Sequence, residues 1–398
     1  MPLDPTCLSV PSDSVLCDRL TEWCAVNSGS GHAAGLDRMR GVLREAFAVL
    51  PGEVDEPELG AGRPRALRVR CRPEAPVQVL LNIHFDTVYG ADHAFQACER
   101  AGADLLRGPG VADAKGGILV LLTALQAFER LPVAARLGWE VLLGPDEEIG
   151  SPGSEALLRA AAARHRLAMV FEPARENGDL VLARKGTGTL VATCHGRAAH
   201  AAKGAEEGRN AILALAEFLV RAARVPGEFP EVSLNIGRIR GGTATNIVPD
   251  LAVAELDVRC SRRTEGEGAL ARLRELAGEM NLREGFRFEL AGGFHRPPLE
   301  ATSANRALLA AYQECGRELG LAFGGQSVGG GSDGNLFAET GLPVLDGLGP
   351  VGGALHSERE WINLPSLAER ARLAALFLAK VAAGEIALPE RAAPAQPR

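Results

Sequence analysis

The sequence predicts an α/β protein: a mixed, mostly parallel sheet flanked by helices, interrupted by an inserted ferredoxin-like α+β domain. Three observations carry that prediction. Residues 77–85 and 167–171 are nearly continuous apolar runs, the pattern of strands buried on both faces of a parallel sheet. Helical segments, above all the apolar stretch 118–131, alternate with them. Residues 186–296 then change character and read strand, helix, strand, strand, helix, strand.

Taken in order, residues 12–50 read as helical, with Cys17, Leu20, Trp23 and Cys24 on one face and a second segment over 39–50 that ends at Pro51-Gly52. Strands are expected over 67–72 and 77–85, the second ending in His84-Phe85-Asp86. Alternate residues of a strand share a face, so His84 and Asp86 stand side by side, as when a carboxylate steadies a metal-bound imidazole. The glycine-rich loop 107–117 follows and feeds the helix 118–131. It lacks both GxxxxGKS and a dinucleotide fingerprint. Asp113 in its middle suits either holding a cation or capping the helix.

The run that begins at Gly138 breaks at Gly144-Pro145 and delivers Asp146-Glu147-Glu148. Like charges this close repel, so burying them raises a pKa or calls for a cation. One of Glu147 and Glu148 can bind metal while the other faces substrate or water. The plainer alternative is a solvated acidic turn before a helix capped by Ser154. The strand 167–171 ends in Glu172-Pro173, and a strand-like run over 342–348 precedes a glycine-rich loop and His356-Ser357-Glu358. Four apolar runs therefore end in His84, Glu147/Glu148, Glu172 and His356. In open α/β sheets the site lies beyond the carboxyl ends of the strands, where these residues would converge.

Within the insert, strands are expected over 187–194, 231–239, 251–259 and 286–290, with helices over 209–224 and 266–280. Residues 325–334 are too rich in glycine for a regular element, and the tail beyond about 385 is expected to be disordered. The chain thus divides into a catalytic domain formed by 1–185 and 297–398 and an inserted domain over 186–296.

Composition narrows the function. The 398 residues are 46% hydrophobic and 23% charged, enough core for two ordinary domains. A net charge of -7 with scattered basic residues leaves no footprint for nucleic acid. The longest apolar run, near 117–128, is too short for a bilayer, and the first residues form no secretory leader, so a cytoplasmic protein without a membrane partner is expected. The eight cysteines form no CxxC pair, which argues against a cysteine zinc site and for reduced core residues.

Two histidines and several carboxylates without cysteine suit a hydrolytic zinc site, with two metals about 3.5 Å apart as one form of it. A free carboxylate is then needed to move the proton of the attacking water, a role open to Glu147 or Glu148.

His84-Phe-Asp86, Gly108-Pro-Gly-Val-Ala-Asp113-Ala-Lys-Gly-Gly117, Asp146-Glu-Glu-Ile-Gly-Ser151, Phe171-Glu-Pro173, Gly196-Arg-Ala-Ala-His200, Asn246-Ile-Val-Pro249, Gly331-Ser-Asp333 and His356-Ser-Glu358 occur in one order. In that order they resemble the dinuclear-zinc amidohydrolases. That family includes carboxypeptidase G type glutamate carboxypeptidases, aminoacylases, acetylornithine deacetylase and succinyl-diaminopimelate desuccinylase. The resemblance runs over about residues 15–380, insert included.

It implies two zinc ions per chain, with cobalt or manganese as alternatives. Asp113 then resembles the bridging ligand, His84 and Glu172 complete one metal, and Glu148 and His356 the other. Glu147 resembles the general base and Asp86 the partner of His84. Glu at 172 is similar to the carboxypeptidase and deacylase branches. His200 resembles the residue that reaches a neighbouring subunit's site to stabilise an oxyanion, which implies a homodimer through the inserted domain. Asn246, Arg259 and Arg296 match positions that hold the substrate carboxylate, although either arginine also reads as a structural ion pair. Ala201-Ala-Lys-Gly-Ala-Glu206 departs from the pattern of many relatives after the histidine. The implied activity is cleavage of an amide in a small peptide or N-acyl amino acid, releasing an amino acid with a free carboxylate, preferably a C-terminal glutamate. An N-acetyl or N-succinyl diamino acid deacylase is the alternative, and a metal-binding homologue without catalysis is the alternative outside enzymes.

Overall fold

The computed structural model describes residues 8–392 and divides into two compact units. The first comprises the chain up to Leu182, Ala301–Val328 and the chain from Ser332; the second is Ala183–Glu300 with Gly329–Gly331.

The first unit is built on an eight-stranded sheet in the order Glu53–Asp55, Leu67–Cys71, Gly138–Gly144, Gln78–His84, Leu167–Val170, Val344–Asp346, Leu180–Arg184, Gly325–Val328. The four strands from Gly138–Gly144 to Val344–Asp346 run parallel, and antiparallel pairs lie outside them. Burial explains the continuous apolar runs: all seven residues of Gly138–Gly144 and all four of Leu167–Val170 are buried. The helix Lys115–Phe128, buried at every position except Gln126, packs beside the helix Pro365–Ala383. A helix apolar all round needs such cover. A small antiparallel sheet in the same unit joins Gly352–Gly353, Trp361–Asn363, Leu105–Arg107 and Glu99–Arg100.

The second unit has its own core and a four-stranded antiparallel sheet in the order Val232–Gly241, Leu251–Cys260, Gly186–His195, Arg287–Arg296. Helices Ala211–Ala222 and Arg263–Asn281 complete the expected β-α-β-β-α-β order. Ala211, Ala214, Leu215, Phe218, Leu219 and Ala222 form the buried stripe of the first helix, the spacing of a single face.

Four local expectations need correction. The second helix spans Ala33–Phe47 rather than starting at 39, because its buried stripe already begins at Gly35 and Leu36 and continues through Met39, Leu43 and Phe47. Ser154 precedes the helix Glu155–Ala162 but does not cap it with its side chain; its hydroxyl donates to Asp146 Oδ1 instead. The glycine-rich stretch 325–334 holds the edge strand Gly325–Val328 and the start of the helix Asp333–Glu339. Backbone pairing supports the strand, and a capping box between Ser332 and Asn335 starts the helix. Finally, the chain beyond 385 is ordered as far as it is described: Ile386 and Leu388 pack on the core, and Arg391 donates to the carbonyls of Ala162, His165 and Thr340. Residues 393–398 of the expected disordered tail, and Cys7 with the first residues, lie outside the described residues.

No helix among the described residues is long and apolar enough to cross a membrane. None of the seven described cysteines is recorded in a disulfide.

Candidate functional site

Sheet register brings the predicted residues of the first unit to one edge. His84 pairs with Gly144 on the neighbouring parallel strand, so His84-Phe85-Asp86 and Asp146-Glu147-Glu148 leave the sheet together. Asn82 pairs with Val170, which puts Glu172, two residues further on, at the same level as His84. Asp113 comes from the loop before the helix Lys115–Phe128. It is not that helix's cap: Ala114 holds the position and no side chain caps it.

His84 Nε2 lies 3.0 Å from Asp113 Oδ1 and 3.6 Å from Glu172 Oε1. The other Asp113 oxygen, Oδ2, lies 3.3 Å from His356 Nε2, which is itself 3.2 Å from Glu148 Oε2. Two overlapping sets result, His84 with Asp113 and Glu172, and Asp113 with Glu148 and His356. Each offers ligand atoms within 4.8 Å of one another.

Asp86, fully buried, accepts the backbone N–H of Glu147 at 3.1 Å and of Glu148 at 3.2 Å and the hydroxyl of Ser30 at 2.7 Å. Its Oδ1 also lies 3.2 Å from Nδ1 of His84. Glu147 and Glu148 begin the short 3-10 turn Glu147–Ile149, Glu147 half-buried.

The electrostatics of this cluster express a demand for positive charge. Burial opposes protonation of His84, yet hydrogen bonding to Asp113 and Asp86 holds its pKa well above the ordinary value. Bonds to Asp113 and Glu148 push His356 up to about 10. Burial works against the Asp113 charge too, but His356 and His84 hold that carboxyl below the usual carboxylate range. Burial and the nearby Asp113 charge raise Glu148. A divalent cation among these carboxylates would take over what imidazolium protons supply without it.

Sequence reasoning missed Glu360 and Tyr89. Glu360, 0% exposed, accepts the backbone N–H groups of Ala112 at 2.9 Å and Asp113 at 3.0 Å. The Tyr89 hydroxyl lies 2.7 Å from its other oxygen. The signal available was an acidic residue four positions after His356, indistinguishable in the sequence from the exposed Glu358 beside it.

The remaining predicted residues belong to the second unit. His200 and Asn246 are both exposed and brought close by backbone pairing: His200 bridges Ile247, and Ala201 N–H donates to Asn246 O at 3.0 Å. Arg259 and Arg296 both pair with Thr187, one from each side, so the three share a rung of the sheet. Arg259 has structural partners, Asp257 at 3.0 Å and the carbonyl of Gly329 at 3.1 Å, while Arg296 is buried.

The profile of peptidase family M20/M25/M40 matches residues 80–380. The chain belongs to that family. Carboxypeptidase G2 of Pseudomonas sp. strain RS-16 is 30% identical to it over 314 residues, 77% of this chain and 74% of the relative. Succinyl-diaminopimelate desuccinylase of Acidovorax ebreus is 30% identical over 275 residues, 65% of this chain and 68% of the relative. Among solved structures, aminopeptidase PepT from Bacillus cereus superposes with a TM-score of 0.77 at 23% identity, covering 93% of this chain and 99% of that one; that likeness concerns the fold.

Membership of the M20/M25/M40 family makes the chain a metal-dependent hydrolase. The residues present fit a metal. Glu148 Oε1 is buried and finds no hydrogen-bond partner among the described residues, a demand that a cation would satisfy. The donor set, imidazole nitrogen and carboxylate oxygen without sulfur, is that of hydrolytic divalent metal sites.

Proposed function

We propose that the chain is a dinuclear zinc amidohydrolase that releases an amino acid with a free carboxylate, with C-terminal glutamate or a similar N-acyl amino acid as the preferred substrate class. One observation carries the reading: the two oxygens of Asp113 face different histidines, 3.0 Å from His84 and 3.3 Å from His356. A carboxylate so placed would bridge two metals, with His84 and Glu172 completing one set and Glu148 and His356 the other. A metal bound there supplies Lewis-acid polarisation of the amide carbonyl and lowers the pKa of water.

The chain's own residues do the rest. Glu147 takes the proton of the attacking water and passes it to the leaving amine. Its place beside Glu148 on a turn held by Asp86 supports that division of labour. His200 donates to the oxyanion, and Asn246, Arg259 and Arg296 take the substrate carboxylate. The shared rung of the two arginines supports a paired guanidinium contact. A homodimer through the inserted domain agrees with the exposed apolar residues Leu213 and Val220 on its helix and Ile239 on its edge strand. Described cysteines held as thiols rather than in disulfides agree with a reducing, cytoplasmic setting.

The test is metal content of the purified protein with release of free amino acid from a panel of dipeptides and N-acyl amino acids, with and without chelator. About two metals per chain and chelator-sensitive glutamate release are expected. Preference for N-succinyl or N-acetyl diamino acids would select the deacylase reading, which the desuccinylase relative favours. Metal without amide cleavage would overturn the enzymatic assignment.

A further inference from the structure

Glu360 sits where three segments of the site meet. Oε1 accepts the N–H groups of Ala112 and Asp113, and Oε2 accepts that of Gly110 at 3.3 Å. Tyr89, five residues beyond His84, brings its hydroxyl within 2.7 Å of Oε2 and 2.9 Å of Ser357 O. The Glu360 backbone is tied in as well: its N–H donates to Ser357 O and its carbonyl accepts from Gly108 N–H. One carboxylate therefore joins the segment after His84, the loop carrying Asp113 and the turn carrying His356.

We propose that Glu360 is a positioning residue of the metal centre. Its carboxylate gathers the N–H groups of the Asp113 loop and thereby fixes how Asp113 presents one oxygen to His84 and the other to His356. The inference rests on the dinuclear reading of that site and adds a residue to it.

The physical argument is one of matching donors. The loop runs through Gly110 in a left-handed conformation, φ 73°, and turns three N–H groups inward, away from any strand or helix partner. A carboxylate accepts on both oxygens at once. An amide of the same size accepts on one side and presents its own N–H groups to the other, donor against donor. Asp113 must bridge two ligand sets within a fraction of an ångström, and its backbone N–H is one of the groups held. A loose loop would let that carboxylate swing towards one histidine and away from the other. Partners behind metal ligands commonly govern affinity in this way.

The experiment titrates cobalt(II) into the metal-free full-length chain and into Glu360→Gln and Glu360→Asp, reading visible absorption and affinity, alongside kcat and KM. For Glu360→Gln the expected result is an altered cobalt spectrum, an affinity roughly 10–100-fold weaker for at least one equivalent, and a loss confined mainly to kcat. A merely structural residue would leave the spectrum and the affinity of the folded variant at parental values, and that outcome overturns the proposal. Should Glu360→Gln not fold, Glu360→Asp, which keeps the anion but draws its oxygens back from the loop N–H groups by one methylene, carries the decision: a shifted spectrum supports the role and an unchanged one removes it. No cobalt uptake by the parent chain overturns the reading of the site together with the role of Glu360, whereas parental uptake with indifferent variants overturns the role alone.

Discussion

Asp86 and Glu147 are joined through the backbone: the Glu147 N–H donates to Asp86 Oδ1 at 3.1 Å, and the next N–H, of Glu148, donates to Oδ2 at 3.2 Å. The same anion flanks the His84 imidazole. A single buried carboxylate thus holds the acidic turn on one side and lies beside a histidine on the other, whose Nδ1 is also 3.0 Å from the Asp86 carbonyl. Asp86→Ala would leave the Glu147 and Glu148 N–H groups without their acceptor, at about 1–3 kcal/mol for each group left unpaired, while the Ser30 hydroxyl keeps the Thr87 carbonyl at 3.4 Å. The expected outcome is a lower melting temperature of the metal-free protein and roughly 10–100-fold weaker metal binding. Equilibrium dialysis against zinc checks it, and parental affinity would separate Asp86 from the metal centre.

Glu147→Gln keeps the size and the backbone bond to Asp86 but removes the proposed proton acceptor. Metal content should stay at the parental level while kcat falls roughly 10²–10⁴-fold. Steady-state kinetics on protein of measured metal content make the comparison. Retained turnover would move the base to another group.

Much of this arrangement was legible in the sequence because parallel strands advertise themselves. The runs ending in His84 and Glu172 are apolar on both faces, and their register fixes where the next residues emerge. Glu360 was not legible. Its role comes from accepting backbone N–H groups of a loop about 250 residues away in sequence, and such bonds leave no residue pattern. The edge strand Gly325–Val328 escaped for a related reason, since main-chain pairing rather than apolar side chains holds it. In the second unit periodicity gave the elements, whereas the rung shared by Arg259, Thr187 and Arg296 depends on register across three strands.

Tyr312 offers a test of packing away from the site. Its ring is fully buried in edge-on contact with Phe323 and Phe377, at centroid distances of 6.0 and 5.2 Å. Its hydroxyl finds no hydrogen-bond partner among the described residues. Tyr312→Phe keeps the aromatic contacts and removes the unpaired group, so stability should be unchanged or rise by about 1 kcal/mol. Denaturant unfolding of the metal-free protein measures it, and a clear loss of stability would reveal a hydroxyl partner.

The raised pKa of His356 sets opposite pH dependences for the metal-free and metal-loaded protein. Unfolded, the imidazole titrates near 6.5; folded and metal-free, Asp113 and Glu148 hold it protonated up to about 10. The folded state therefore binds the proton more tightly, and the stability this confers is fully present below about pH 6.5 and lost as pH rises through about 10. His84, also raised, acts in the same direction. A metal ligand must be neutral imidazole, so metal and proton compete for these nitrogens and metal affinity should climb over the same range. Because the metal binds the folded chain, its stabilisation grows with affinity. The denaturation midpoints with and without zinc should consequently diverge from pH 6.5 towards pH 10, and metal binding near pH 7.5 should release protons, seen as a dependence of the calorimetric heat on buffer ionisation enthalpy. Midpoints that run parallel with pH, with no proton release, would mean that neither histidine exchanges its proton for the metal.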